Sequence, residues 1–237
     1  MLAHLGAVAV ALPVMEITPP DNLPSPLQLD QASHAHLLIF TSANAVDGVI
    51  NAGLQPGDLA TGLKVIAIGL ATQRRLTDSG FSVYPLKLSG NNSEQLFDAL
   101  AKTINHNVRV TIVKGEGGRT YLAQNLTTLG IKVNTLNVYR RSMPEYSSTH
   151  LNDTLEKFLP AKKKAICLTS NQGLENFHKL TCQLPDAARL AAVPLIVNSE
   201  RCVAQARALG YKASIVVARP AGDCGQIKAL QSIFADN

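Results

Sequence analysis

The chain has 237 residues, of which 46% are hydrophobic and 5% aromatic, and its formal net charge is +5. This length and composition are typical of a globular protein with one large or two small domains, and no apolar run approaches the length of a membrane span. The apolar start, MLAHLGAVAVALPVMEI, has no basic segment before it and is interrupted by His4. We therefore interpret it as part of the fold rather than as a secretion signal, and we expect a cytoplasmic protein without a membrane partner.

The cysteines and the basic residues show no pattern of a metal or nucleic-acid site. The four cysteines, Cys167, Cys182, Cys202 and Cys224, include no C-x-x-C pair, which favours free thiols and no metal. The basic residues are dispersed except at Lys162–Lys164, which we interpret as a solvated turn. Aromatic residues do not alternate with them, so no nucleic-acid partner is expected, whereas a positive balance suits a small polyanion.

Apolar runs of strand length alternate with helical patterns along the chain. In order, these runs cover residues 7–13, 37–42, 64–69, 82–86, 109–114, 132–139, 165–170, 194–199 and 213–218. Most are continuously apolar rather than alternating, which predicts parallel strands covered by helices on both faces. The predicted fold class is therefore α/β.

The sequence also repeats itself. HLLIFTSANAVDGV from His36 resembles KAICLTSNQGLENF from Lys164, and the segments that follow correspond as well. Such self-similarity predicts two similar domains.

The strands are distributed unequally between the two halves, so we predict that one domain is discontinuous. It comprises residues 1–13 and 143–237, the other domain is residues 20–136, and residues 14–19 and 137–142 are two linker strands that form a hinge. Ligands of open α/β sheets bind beyond the carboxyl ends of the strands, which predicts a ligand cleft between the two domains.

The segment KGEGGR, from Lys114 to Arg119, lies between a predicted strand and a predicted helix. Its glycines fit neither the dinucleotide fingerprint nor the phosphate loop. Two interpretations stay open: the glycines only make a tight turn, or the helix N-terminus and the two cations form an anion site.

Four segments together resemble the uroporphyrinogen-III synthase family. They are LLIFTSANAV, VIAIGLATQRRLTDSGF, VKGEGGRTYLAQNLTTLGIKVNTLNVYRR and CLTSNQGLENF. Their order and spacing carry the resemblance, which runs from about Gly6 to the C-terminus. It implies two similar parallel-sheet domains of flavodoxin-like topology, as in HemD proteins, joined by a two-strand hinge.

The resemblance also implies a function. The family is a cyclising lyase that converts hydroxymethylbilane to uroporphyrinogen III with loss of water and inversion of ring D, in haem and sirohaem biosynthesis. The substrate carries eight carboxylates, which favours the anion site over a nucleotide site at the glycine turn. The resemblance implies no cofactor, a monomer, and channelling of the substrate from hydroxymethylbilane synthase.

The chain departs from the family at its start. The family begins with a strand and a TRP-like turn before a helix, whereas this sequence begins with MLAHLGAVAVALP. We therefore expect the first strand to be missing, and an in-frame extension to precede Met1.

The resemblance assigns roles to two residues. Tyr139, in NVYRR, matches a tyrosine on the family's linker strand that projects toward the cleft. Its phenol would assist the departure of the hydroxyl, and packing at the hinge is the alternative. Arg119 matches the arginine of GGR and would bind a carboxylate through its guanidinium.

The remaining candidates for substrate binding lie at strand ends and in the glycine turn. They are Ser42, Asn44, Lys114, Gly117, Ser170 and Ser199. Each serine either caps the following helix or contacts a carboxylate. Arg140 and Arg141 alternate along one strand, and the sequence does not tell which of them faces the cleft.

The sequence shows no catalytic triad and no paired carboxylates, and most of its six histidines lie in predicted loops or on helix surfaces. We therefore expect catalysis by positioning of the substrate. Two alternatives stay open: a non-catalytic sensor or carrier of a small anionic metabolite, and a nucleotide-dependent transferase.

Overall fold

The computed structural model describes residues 6–86 and 92–235, for residue 235 its backbone alone. The chain divides into two compact units. One unit comprises Met1–Glu16 and Met143–Asn237, and the other comprises Ile17–Ser142. The predicted linker segments contain β1 (Glu16–Thr18) and the end of β5 (Lys132–Ser142), and their role as a hinge stays a prediction.

The unit Ile17–Ser142 is built on a five-stranded sheet. Its other strands are β2 (Leu37–Phe40), β3 (Lys64–Ala67) and β4 (Arg109–Gly115), and the spatial order is β1-β5-β4-β2-β3. The pairs β2–β3, β2–β4 and β4–β5 are parallel. Its helices are α1 (Pro26–Ser33), α2 (Ala43–Asn51), α3 (Leu70–Asp78), α4 (Ser93–Ala101) and α5 (Tyr121–Thr128), with a 3₁₀ turn at Pro56–Asp58.

Strand β2 shows why the strands of this unit are continuously apolar. All four of its residues are buried, because helices cover both faces of the sheet. Leu38 and Phe40 pack with α2 residues in one core cluster, whereas Leu37 and Ile39 belong to a second cluster that includes residues of α4 and α5. The predicted α/β class with parallel sheets is confirmed.

The second unit, which comprises Met1–Glu16 and Met143–Asn237, contains a smaller parallel sheet. Its strands β6 (Ile166–Leu168), β7 (Leu195–Val197) and β8 (Ile215–Val217) lie in the order β6-β7-β8. Its helices are α6 (Ser148–Phe158), α7 (Asn171–Thr181), α8 (Ala187–Ala191), α9 (Glu200–Ala208) and α10 (Asp223–Ala235).

The sequence repeat is reflected in both sheets. In the unit Ile17–Ser142, β2 pairs with β3, and β3 in turn makes a bridge from Val65 to Val83. This is the order in which the corresponding strands β6, β7 and β8 pair in the second unit.

Two predicted strands do not form as expected. Residues 7–15 lie outside helices and strands, and Val8 is 90% exposed. This segment is held by side chains instead: Asn176 donates to the Val14 carbonyl at 2.7 Å, and Tyr146 donates to the Pro13 carbonyl at 2.8 Å. Its alternating alanines and valines have no neighbouring strand to pair with among the described residues, so its pattern alone was a misleading signal.

The other strand, predicted at residues 82–86, is reduced to the single bridge between Val65 and Val83. The Tyr84 N–H donates to the Val65 carbonyl at 2.7 Å, but the next ladder donor, the Leu86 N–H, donates to the Tyr84 carbonyl at 2.9 Å instead, so the pairing ends there. Beyond it, residues 87–91 lie outside the described part of the chain.

Truncation in the core of β2 should destabilise the protein far more than the same change at the surface. Leu38 is fully buried, whereas Leu27 in α1 is 66% exposed. We expect Leu38→Ala to lower the free energy of unfolding by about 2–5 kcal/mol, because it removes apolar contacts and leaves a cavity. Leu27→Ala should change it by less than about 0.5 kcal/mol. Urea denaturation measures both, and equal effects would contradict the packing of β2.

Candidate active site at the strand ends

Three parallel strands of the unit Ile17–Ser142 bring candidate residues to one edge of its sheet. The carboxyl ends of β2, β4 and β5 lie side by side, because these strands are parallel neighbours. Ser42 follows β2, Gly115 ends β4, and Tyr139 lies near the end of β5. This is the edge at which ligands bind to open α/β sheets.

Tyr139 and Ser42 form the central contact of this edge. The phenol oxygen of Tyr139 lies 3.0 Å from the Ser42 hydroxyl oxygen, and Tyr139 is only 5% exposed. Ser42 is also the N-cap of α2, where its oxygen accepts the Ala45 N–H at 3.2 Å. The Ser42 hydroxyl therefore connects the phenol to the positive end of a helix dipole.

The glycine turn is organised around a buried lysine. Lys114 is 9% exposed, and its ammonium donates to the carbonyls of Gly118 at 2.7 Å and Arg119 at 3.0 Å. Burial lowers the pKa of Lys114 below its ordinary value. Gly117 has φ +64, a left-handed conformation that favours glycine. The tight turn is thus present, and Lys114 holds its carbonyls.

Arg119 projects outward from the same turn. Its side chain is 79% exposed and donates to a carboxylate oxygen of Glu94 in α4 at 3.1 Å. Its charge is thus accessible but already paired within the unit. A surface ion pair of this kind contributes little to stability. A carboxylate ligand could therefore share this guanidinium with Glu94, or replace Glu94, at small cost.

A cavity of about 310 Å³ lies next to Tyr139 in the same unit. Asn44, Asp47 and Asn51, on one face of α2, line it together with Pro19, Pro20, Leu23 and Pro24. Asp47 is engaged by Arg75 at 2.5 Å. The cavity thus combines apolar groups, two amides and one ion-paired carboxylate, and the predicted site residues on its wall are Asn44 and Tyr139.

The two arginines after Tyr139 have different surroundings. Arg140 is half-buried, pairs with Asp21 and donates to the Thr18 hydroxyl at 3.3 Å. Arg141 is exposed. Arg140 thus ties β5 to the chain near β1.

In the second unit Ser170 and Ser199 are both helix N-caps. The Ser170 hydroxyl accepts the Gly173 N–H at 3.0 Å at the start of α7, and the Ser199 hydroxyl accepts the Cys202 N–H at 3.3 Å at the start of α9. The capping alternative is therefore realised at both serines. A contact with a carboxylate is an additional proposal for them.

A polar network next to these caps is not evident from the sequence. Asn171 and Glu175 on α7 both bond to Gln205 on α9, and the Cys202 thiol lies 3.0 Å from the Asn171 side-chain oxygen. Asn171 and Glu175 are four positions apart, but this spacing is a weak signal, because it is equally typical of a solvated helix face. Only the packing of α7 against α9 reveals the network.

A family model described as uroporphyrinogen-III synthase HemD matches residues 1–223. The uroporphyrinogen-III synthase of Salmonella typhimurium LT2 is 28% identical over 234 residues, which cover 97% of this chain and 93% of that protein. The chain belongs to the uroporphyrinogen-III synthase family.

Solved structures share the fold. The uroporphyrinogen-III synthetase structure from Helicobacter pylori 26695 has a TM-score of 0.67 at 17% identity, covering 93% of this chain and 91% of that one. A mutant uroporphyrinogen III synthase from the extremely thermophilic bacterium Thermus thermophilus has a TM-score of 0.56 at 16% identity, covering 100% and 93%. The resemblance inferred from the sequence motifs is confirmed.

Among residues 6–86 and 92–235, no helix is long and apolar enough to cross a membrane. Within the same residues, no group of three or more His, Cys, Asp or Glu side chains is placed to hold a metal ion.

Removing the Lys114 ammonium should loosen the glycine turn. We expect Lys114→Met to lower the free energy of unfolding at pH 7 by about 1–3 kcal/mol, because two carbonyls lose their donor. Lys212→Met, at an exposed position, is the matched control and should have little effect. Urea denaturation of both variants gives the comparison.

The difference in the free energy of unfolding between wild type and Lys114→Met should also depend on pH. Between the lowered pKa of folded Lys114 and its ordinary value of 10.5, the unfolded chain binds more protons than the folded one. Wild-type stability should therefore rise relative to Lys114→Met as the pH rises through this window. A difference that falls with pH would contradict the burial of the ammonium.

Proposed function

We infer that this protein catalyses the reaction of its family, the cyclisation of hydroxymethylbilane to uroporphyrinogen III with inversion of ring D and loss of water. It is a cyclising lyase of tetrapyrrole biosynthesis. The observation that carries this conclusion is the family match over residues 1–223. The alternative of a non-catalytic sensor or carrier has no observation in its favour.

We propose Tyr139 as the residue that assists departure of the substrate hydroxyl. The phenol proton passes to that hydroxyl, which leaves as water, and the proton released when the macrocycle closes restores the phenol. Ser42 supports this role, since its oxygen accepts from the Ala45 N–H while its proton is free to point at the Tyr139 oxygen. Negative charge that develops on the phenol is thus placed near the N-terminus of α2, where it is favoured.

The carboxylates of the substrate suggest the roles of the other candidates. Arg119 would bind one carboxylate through its exposed guanidinium, and the backbone at Gly117 is open to a ligand because this residue is exposed and has no side chain. Lys114 shapes the turn and contributes positive charge beneath it. Asn44 would contact the substrate from the cavity next to Tyr139.

Ser170 and Ser199 are proposed to bind carboxylates in the second unit. Each oxygen accepts a backbone N–H of its helix, so each hydroxyl proton remains available to a ligand. The helix N-termini behind them favour negative charge.

Location, assembly and substrate supply are further proposals. The cysteines are all free thiols, which fits a reducing cytoplasm. We propose a monomer that receives hydroxymethylbilane from the synthase that makes it, because this substrate also closes unaided to the unrotated isomer I. Analytical ultracentrifugation, alone and with hydroxymethylbilane synthase, tests both statements.

Loss of the Tyr139 hydroxyl should slow the reaction without changing its product. We expect Tyr139→Phe to reduce turnover by about 10- to 1000-fold, the range for a positioned proton donor, while the enzymatic product remains isomer III. The measurement is a coupled assay from freshly made hydroxymethylbilane, with chromatographic separation of isomers I and III after oxidation. A wild type that yields only isomer I at the uncatalysed rate would refute the function.

Arg119 and its ion-pair partner can be separated by mutation. We expect Arg119→Ala to raise KM by about tenfold or more, since a charge-assisted contact contributes roughly 1.5–3 kcal/mol. Glu94→Gln breaks the same ion pair but leaves the guanidinium, so its KM should stay equal or fall. If both variants raise KM equally, Arg119 serves only the ion pair with Glu94.

A further inference from the structure

Strands β4 and β5 change register immediately before Tyr139. Lys114 pairs with Asn137, but the next residue of β4, Gly115, pairs with Tyr139. Val138 is thus an extra residue in β5, and the ladder contains a β-bulge at this point. Bulges redirect the side chains that follow them.

The bulge changes the face of the sheet on which Tyr139 lies. Successive side chains of a regular strand point to opposite faces. Here Val138 and Tyr139 are consecutive, yet both are buried in the core cluster that contains Ala45, Val46 and Val49 of α2. The extra residue therefore directs the phenol toward the start of α2, where Ser42 lies at 3.0 Å.

Gly115 leaves the space that the Tyr139 ring occupies. A Cβ atom at Gly115 would lie 2.6 Å from both Cε2 and Cζ of Tyr139 and 3.0 Å from its hydroxyl oxygen. Gly115 is not among the glycines with positive φ, so its backbone would accept alanine without strain. The three heavy atoms nearest to such a Cβ all belong to the Tyr139 side chain, which is therefore the main constraint at this position.

One hydrogen bond and one close approach of α2 flank the bulge. The Glu116 N–H donates to the Tyr139 carbonyl at 2.8 Å, directly after the register shift. On the other side, a Cβ at Gly48 of α2 would lie 2.6 Å from the Val138 carbonyl oxygen. Glycine at 48 thus lets α2 approach the bulge.

We propose that Gly115 is a positioning residue, which together with the bulge at Val138 places the Tyr139 hydroxyl for the reaction. The proposal rests on the role of Tyr139 in the function inferred above. Gly115 itself touches no substrate and acts through the ring of Tyr139. The chemical requirement is the absence of a side chain, because even one methyl group would displace the phenol from Ser42.

The test compares Gly115→Ala with Gly57→Ala. Gly57 is exposed, and a Cβ there meets nothing within 4 Å. We expect Gly115→Ala to lower kcat about 100-fold, the cost of a displacement near 1 Å, with KM changed by less than about threefold. Gly57→Ala should retain wild-type kcat.

Two readouts separate positioning from general damage. In protein labelled with 3-fluorotyrosine, the ¹⁹F resonance that disappears in Tyr139→Phe should shift in Gly115→Ala and stay unchanged in Gly57→Ala. In the Tyr139→Phe background, Gly115→Ala should cost less than about threefold in kcat, because the hydroxyl it positions is already gone. A loss of about 100-fold in that background as well would overturn the proposal.

The outcomes distinguish this proposal from the function on which it rests. A wild type without isomer III activity refutes the function and this role with it. An active wild type whose kcat survives Gly115→Ala refutes the positioning role alone. Should Gly115→Ala fail to fold, recovery of folding in Gly115→Ala/Tyr139→Leu would support the proposed ring contact, and continued unfolding would overturn it.

Discussion

The hydrogen bond between Tyr139 and Ser42 joins residues that are 97 positions apart in the chain. A buried phenol needs a partner, because an unsatisfied hydroxyl in the core is costly. To provide that partner, β2 must end at Phe40, α2 must begin directly after Ser42, and β5 must be placed in the sheet with its bulge. The candidate site of this unit therefore depends on the register of the whole sheet.

Within the described part of the chain, the same strand, serine and helix arrangement occurs at three serines. Ser42, Ser170 and Ser199 each accept the N–H of the residue three positions later. A hydroxyl that accepts from a helix N–H keeps its own proton for another acceptor. Capping and ligand binding are therefore compatible at these serines. The duplicated unit thus offers both a stable helix start and a polar group at the edge where ligands of such sheets bind.

The α/β class, the sequence of strands and helices, and the similarity of the two units follow from the sequence alone. They depend on apolar runs and on helix caps. Both are patterns within short, continuous segments of the chain. The same local reasoning failed for residues 7–13, where an alternating pattern has no strand to pair with among the described residues. It also failed for residues 82–86, where the Leu86 N–H donates to the Tyr84 carbonyl instead of to β3.

Tyr139 and Arg119 were identified through family motifs, whereas their contacts were not predictable. The approach of Tyr139 to Ser42, the space left by Gly115 and the pairing of Arg119 with Glu94 join residues that are 97, 24 and 25 positions apart. Such contacts depend on strand register, and one extra residue in β5 changes that register. No local pattern encodes it, so only the tertiary structure decided how these side chains meet.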